Sequence, residues 1–394
     1  MIYIHAVSAF NAMGCTLEGI RANLLAGESP GMQASDTILH DGREVMVGRV
    51  EREFDPLPAD LARFDSRNNR MLLAALEEIR PALDEALTRY GKGRVAIILG
   101  TGTSGISESE TALSVLKEKG AFPDSFNYLQ QEFASPSEFV ATLLGSTGPA
   151  LTISTSCSSS ARVFLSAARM MDAGLCDAAL VGGADTLCRF TVNGFYSLEA
   201  IARGRSNPFS VHRDGINIGE GCSLMVVSRE PSGVALLGAG ESSDAHHISS
   251  PDPEGGGAER AMRMALENAG LQPRDIGYVN LHGTGTPLND HMESHAVARV
   301  FGLDTPCSTT KPLTGHTLGS AGITEAAICW LLLTQPGACT LPPQLWDGEA
   351  DPELPAISLL REPTITGRMA FLSNSFAFGG NNTSLILGTP DALG

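Results

Sequence analysis

The sequence holds 394 residues, 43% hydrophobic and 18% charged, enough to bury one large core or two fused ones. A formal net charge of −17 argues against nucleic acid as a partner, because phosphate binding needs a basic face. No apolar run reaches the ~20 residues of a membrane helix, and eight cysteines without a C-x-x-C pair fit a reduced cytoplasmic protein without structural zinc. The opening MIYIHAVSAF has no basic segment ahead of an apolar one, so no signal peptide is read there.

From residue 72, LLAALEEIRPALDEALTRYG has helical apolar spacing, with Pro81 expected to break or kink it. RVAIILG follows as a buried strand and runs into TGTSG. Gly100, Gly102 and Gly105 thereby spell G-x-G-x-x-G after a strand, the dinucleotide-binding pattern. Glu108 and Glu110 lie at the start of the next helix, where their charge would repel a pyrophosphate. The glycines are therefore read as close-packing turns beside the other half of the molecule.

The next strand, ALTI, ends in STSCSSSA, one thiol among hydroxyls and methyls. A free cysteine is usually a small buried hydrophobe. Here the following helix puts Ala161, Phe164, Leu165, Ala168 and Met171 on one face and ends near Gly174. Cys157 then stands at a helix N-terminus, where unpaired N–H groups and the dipole are expected to lower its pKa. A thiolate is both nucleophile and leaving group, which suits a transient thioester.

Near residue 230, SREPSGVALLGAGE crosses into a second set of elements that repeats the first. AERAMRMALENAG, DIGYVNLHG and TGT repeat the order helix, strand, Gly-Thr turn. PCSTTKPLTGHTLGSAGITEAAICWLLLT repeats strand, small-residue turn, helix. Alternating strands and helices imply parallel sheets covered by helices, and two copies imply a duplicated α/β fold with halves 1–230 and 231–394. The reactive site is expected beyond the carboxyl ends of the strands, where Cys157, His282 and His316 fall. Lys311 lies shortly before His316. A third strand end, FLSNSFAFGGNN, supplies Phe378 and backbone N–H groups suited to an oxyanion hole.

The motifs STSCSSSA, NPFSVHRDGINIGEG, NLHGTGTPLNDHMES, STTKPLTGHTLGSAG and NSFAFGGNN, in this order, resemble the β-ketoacyl-acyl carrier protein synthases. These are the decarboxylating condensing enzymes of the thiolase superfamily, and the resemblance runs nearly end to end. It implies a thiolase-like α/β fold, layered αβαβα with two mixed sheets, and no metal or redox cofactor. It makes Cys157 the nucleophile and has His282 and His316 polarise the malonyl thioester carbonyl. Lys311 tunes the site electrostatically, with Glu325 as its partner. The N–H groups of Cys157 and Phe378 form the oxyanion hole, and the Phe378 ring gates the acyl and malonyl pockets. Asp290 and Glu293 match a structural acidic pair, while Thr103 and Phe195 lie along the acyl tunnel. Asn280, Glu325 and Asn374 fall where some relatives hold a monovalent cation.

The same resemblance separates near relatives. A thiolase would need a second cysteine in the last glycine-rich loop, and the initiating condensing enzymes carry asparagine in place of His316. A chain-length-factor subunit, the non-catalytic alternative, lacks the nucleophile. Ser210 stands where the family usually has aspartate, and Thr103 replaces a bulkier aliphatic residue. With HGTGTPLND and SNSFAFGGNN, these details look most like the aryl-polyene pigment branch. The implied partners are an acyl carrier protein and a second subunit, giving either a homodimer or a heterodimer with a chain-length-factor-like paralogue. An acidic carrier calls for local positive charge. LARFDSRNNRMLL offers Arg63, Arg67 and Arg70, the last two on one helical face. Arg203, Arg205, Lys117 and Lys119 are secondary candidates, and the alternative is an ordinary solvated face.

Overall fold

The computed structural model describes residues 1–393. Its first half begins with β1 (Ile2–Phe10), α1 (Leu17–Ala26), the short strands β2 (Met32–Ser35) and β3 (Val45–Gly48), α2 (Arg67–Glu78) and α3 (Arg80–Tyr90). Pro81 sits in the first turn of α3, where its missing N–H costs nothing, and the helix breaks at Ile79 as expected. Then come β4 (Val95–Gly100), α4 (Ile106–Lys119), α5 (Ser135–Leu144), β5 (Ala150–Ile153) and α6 (Ser159–Asp172). β6 (Ala178–Asp185), α7 (Arg189–Ser197), β7 (Ile218–Gly219) and β8 (Gly221–Ser228) complete this half.

The second half runs through β9 (Val234–Ser243), α8 (Gly256–Ala269), β10 (Tyr278–Asn280), α9 (Pro287–Phe301), β11 (Cys307–Ser308) and α10 (Lys311–Thr314). It ends with α11 (Ala321–Leu333), the paired strands β12 (Cys339–Leu341) and β13 (Thr364–Thr366), then β14 (Ala370–Ala377) and β15 (Asn381–Gly388). No helix among the described residues is long and apolar enough to cross a membrane.

Ten strands lie in the order β11-β10-β14-β15-β9-β1-β8-β6-β4-β5. Counted outward from the β9–β1 seam, each half uses its first, fifth, fourth, second and third strand of that sheet. The repeat read in the sequence is thus a repeat of topology. Each half is mixed: β4 pairs in parallel with β5 and β6, and β10 with β11 and β14, while the remaining pairs are antiparallel. The two sheets join edge to edge, where Ile2 to Ile4 meets Leu236 to Val234.

Helices α6 and α11 fill the middle layer. Phe164 and Ala167 of α6 pack with Ile323, Ile328 and Leu332 of α11, and with strand residues of both halves such as Val181 and Phe371. α11 is apolar nearly all round, as a helix buried on every side must be. Outside, α2, α3 and α5 cover the first sheet through Leu72, Leu83 and Val140, and α8 and α9 cover the second through Met262, Leu266 and Val297. This is the five-layer αβαβα order.

The glycine fingerprint is a packing device. A Cβ at Gly100 would stand 2.6 Å from Ser160 N, and one at Gly105 would stand 2.1 Å from Gln130 O. Gly102 faces Gly319 of the other half. The N–H groups of Gly102 and Thr103 already donate to the Asp185 carboxylate, at 2.8 and 2.7 Å, where a pyrophosphate would have to sit. Glu108 accepts the Arg67 N–H at 2.7 Å and Glu110 the Arg189 N–H at 3.0 Å, so both carboxylates cap other helices.

The middle layer is equally tight at Gly322, where a Cβ would lie 2.6 Å from Ala161 N. Gly322→Ala should force α11 away from α6 and cost about 1–3 kcal/mol of stability. Urea denaturation reads this directly; an unchanged midpoint would mean that the two central helices are free to separate.

Candidate active site

The sharp turn before α6 places Ser156 in left-handed geometry, φ +55°, and aims the Cys157 side chain into a cavity. His282 lies two residues past the end of β10. His316 lies just past α10, and its N–H donates to Asn217 O at 2.7 Å while its carbonyl accepts from Gly219 N at 2.9 Å. These contacts anchor the His316 backbone, and its Nε2 lies 3.0 Å from Cys157 Sγ. The two imidazoles stand edge to face, 5.4 Å between centroids, and one donor atom from each of the three side chains lies within 4.8 Å of the others. The backbone N–H groups of Cys157 and Phe378 lie near enough to the sulfur to favour its anion.

Burial overrides the helix dipole. The Cys157 thiol is pushed up to about 11, chiefly by loss of solvent, against the opposing pull of Lys311 and the two backbone N–H groups. The expected lowering of this pKa is therefore corrected: Cys157 precedes the cap residue Ser158 and is almost fully enclosed. The same desolvation, then the nearby Lys311 charge, holds both histidines well below the usual imidazole range. Burial thus favours a neutral thiol beside two neutral imidazoles at rest.

Lys311 Nζ bonds the Glu325 carboxylate and the His282 carbonyl, and stands 3.2 Å from His282 Nδ1. An ammonium donating to Nδ1 leaves the ring proton of His282 on Nε2. Glu293 accepts the N–H groups of His282 and Gly283, both at 2.7 Å, and burial pushes its carboxyl up to about 7. Asp290 accepts from Phe209 N at 2.8 Å and Gly285 N at 3.2 Å. The two carboxylates pin the turn that carries His282. Asn280 Oδ1 and Glu325 Oε2 are buried without partners, which is donor chemistry a monovalent cation accepts, whereas Asn374 Oδ1 takes the Ser384 hydroxyl at 2.8 Å.

The cavity holds about 260 Å³ and is bordered by Cys157, His282, His316, Phe195, Thr284 and Phe378, among others. The Phe195 and Phe378 rings lie 5.5 Å apart, and both border this cavity. Thr103 does not: its hydroxyl is turned to Asp185 at 2.7 Å, away from the cavity. At Ser210 a carboxylate is supplied from elsewhere in the chain. Asp347 accepts from the Ser210 hydroxyl at 3.0 Å and from Asn207 Nδ2 at 2.6 Å.

The arginine segment is also corrected. Arg67 donates to Glu220 at 2.7 Å, to Val50 O at 3.2 Å, and lies over the Phe54 ring. Arg70 forms a two-pronged pair with Asp65, 2.6 Å on each prong. Neither is a free docking charge, because each is spent on a partner within the chain. Arg63 is exposed and lies over Phe64. Of the secondary candidates, Arg203 is exposed and its N–H bonds Asp214, a residue of the cavity rim, at 3.2 Å. Asp185, Glu220 and Asp347 were missed by sequence reasoning; only GGAD at a strand end hinted at the first.

Comparison with known proteins agrees with this geometry. Residues 34–232 match the description "Beta-ketoacyl synthase, N-terminal domain" and residues 234–345 match "Beta-ketoacyl synthase, C-terminal domain". The chain belongs to the beta-ketoacyl synthase family, and carries the Cys–His–His arrangement of a condensing enzyme. It is 28% identical to a 3-oxoacyl-[acyl-carrier-protein] synthase 2 of Synechocystis sp., over 98% of this chain and 97% of the relative. A Staphylococcus aureus enzyme of the same name is 30% identical, over 88% of this chain and 89% of its own. Among solved structures, the ketosynthase ApeO of Xenorhabdus doucetiae, in complex with its chain length factor ApeC, is 50% identical with a TM-score of 0.95 and 98% of each chain covered. A beta-ketoacyl synthase from Burkholderia phymatum is 27% identical, with a TM-score of 0.86 over 98% of this chain and 99% of its own. The fold is the thiolase-like ketosynthase fold.

Because Glu220 is nearly enclosed, Arg67→Glu should leave a buried carboxylate facing another and cost about 3–5 kcal/mol. Thermal melting and assays with carrier-bound and small thioester substrates check this. Loss of stability with both substrates affected equally is the expected result; a selective rise in KM for the carrier-bound substrate would restore the docking role.

Proposed function

We propose that Cys157 takes an acyl chain from a carrier-protein thioester and that the site then condenses it with a decarboxylated malonyl unit. The observation that carries this reading is the 3.0 Å approach of His316 Nε2 to Cys157 Sγ, with His282 alongside. In the first step Sγ attacks the thioester carbonyl, its proton passes to His316 Nε2, and the carrier thiolate leaves and takes that proton from His316, which returns to neutral. The oxyanion formed on the way faces the N–H groups of Cys157 and Phe378.

In the second step the C–C bond to the malonyl carboxylate breaks and CO₂ leaves. The electron pair becomes an enolate, whose oxygen needs donors. Neutral His282 offers Nε2–H, oriented by Lys311. His316 has an unpartnered Nδ1, so nothing fixes its tautomer. It can accept from the thiol in the first step and donate to the enolate in the second. One such donor is worth about 3–4 kcal/mol. The enolate carbon attacks the acyl carbonyl, the bond to Sγ breaks, the released thiolate takes up a proton from solvent, and a β-ketoacyl chain two carbons longer leaves on the carrier.

The two halves meeting near residue 230 each contribute: the nucleophile comes from the first, the donors from the second. The acyl group is read as an aryl-polyene or fatty chain; the first is supported by the Thr103, HGTGTPLND and SNSFAFGGNN likeness. The partner is read as a chain-length-factor-like paralogue, because the 50% identical ApeO is a ketosynthase in complex with one. The outer strand β5 and the exposed Leu113, Phe133 and Phe190 offer such a partner an apolar edge. The carrier is read as an acyl carrier protein, after the named substrate of the curated relatives.

Incubation with acyl-carrier protein followed by intact mass measurement should show one acyl group on the native chain and none on Cys157→Ala. His282→Ala should lower malonyl decarboxylation about 10²-fold or more while acyl loading persists, and His316→Ala should slow both steps. An acylated Cys157→Ala variant, or native decarboxylation rates in both histidine variants, would refute the reading.

A further inference from the structure

Asp185 closes β6 and is wholly buried. Its Oδ1 lies 2.7 Å from the Thr101 and Thr103 hydroxyls and from Thr103 N, and 2.8 Å from Gly102 N. Its Oδ2 accepts from Ser320 N at 2.8 Å and, more loosely, from Gly102 N at 3.0 Å. The first four donors belong to the turn after β4, in the first half. Ser320 belongs to the loop that carries His316, in the second.

That loop packs tightly against the first half. Leu318 adopts left-handed geometry, φ +51°, which a branched side chain rarely takes. Gly319 approaches the β4 turn so closely that a Cβ would stand 2.4 Å from Gly102 N. Cys157 in turn precedes α6, whose Ser160 packs on Gly100 at the end of β4. The distance between Sγ and His316 Nε2 is therefore a distance between halves. Asp185 bonds both the turn that α6 rests on and the loop that carries His316.

We infer that Asp185 is a positioning residue for the condensation: its carboxylate, by accepting the Ser320 N–H across the seam, keeps His316 within hydrogen-bond reach of Cys157. Thr103 acts in the same device by fixing the carboxylate. The inference rests on the roles of Cys157 and His316 given above.

Asp185→Asn keeps the shape and one carbonyl oxygen. With that oxygen on the Gly102 and Thr103 N–H groups, the amide NH₂ faces the Ser320 N–H, donor against donor, and the His316 loop is pushed off the seam. The test is alkylation of Cys157 by iodoacetamide in the full chain without substrate, followed by peptide mass spectrometry from about pH 6 to pH 10. Below about pH 8 the thiol relies on His316 to take its proton, so the Asn variant should react about tenfold more slowly, with the deficit shrinking toward alkaline pH. Its kcat should fall while KM for carrier-bound substrate holds.

Thr103→Val removes one hydroxyl and keeps every N–H. It should shift the profile the same way by about two- to threefold, and it serves if the Asn variant does not fold. Leu266→Ala truncates the outer core of the second half, lowers stability without touching the seam, and should leave the profile native. A native profile in both seam variants, or an equal shift in Leu266→Ala, overturns the role of Asp185. In the native chain, Cys157 labelled ahead of the half-buried Cys15 supports the nucleophile assignment beneath it; the reverse order overturns that assignment itself.

Discussion

Withdrawing Cys157, His282 and His316 from water sets the protonation state on which everything else in this site depends. A thiolate and an imidazolium are each costly without solvent, so the thiol rises to about 11 and the imidazoles fall well below 6.5. Lys311 brings a full charge into the same dry space, and Glu325 offsets it. A buried pair of this kind is held by its geometry rather than by any net gain in stability. What remains of the lysine is direction: a donor aimed at one nitrogen of His282. His282 thus presents a neutral imidazole with a fixed N–H donor, preorganised for the oxygen of a developing enolate.

The fold makes this arrangement by placing the nucleophile and its donors on different halves and clamping the halves together. Glycines at 100, 183, 319 and 322 let backbones approach where any side chain would collide. α6 and α11 fill the space between the sheets with apolar side chains. Buried carboxylates then hold the turns: Glu293 and Asp290 for the His282 turn, Asp185 for the His316 loop. Each accepts backbone N–H groups, a use of acidic residues that positions without adding a mobile charge.

Much of this was legible in the sequence. The repeat of helix, strand and Gly-Thr turn corresponds to two halves with the same strand order, because each motif is local and its periodicity follows from its own residues. The Pro81 break and the packing role of Gly100, Gly102 and Gly105 were legible for the same reason. What failed depended on distant partners. The helix-dipole argument for Cys157 is local, whereas its desolvation comes from every element around the cavity. Arg67 and Arg70 share a helical face as their spacing implies, but Glu220 reaches Arg67 from 153 residues away and engages its charge. Asp347 brings a carboxylate to Ser210 from a loop that shares no motif with it.

The central claim is that the two histidines are neutral when the enzyme is at rest. Nitrogen-15 NMR of ring-labelled histidine, with His282 and His316 assigned by substitution, tests it most directly. Both rings should show the neutral pattern from pH 8 down to about pH 6, with the His282 proton on Nε2. A charged imidazolium on His316 at neutral pH, matched by a Cys157 thiolate, would contradict the account.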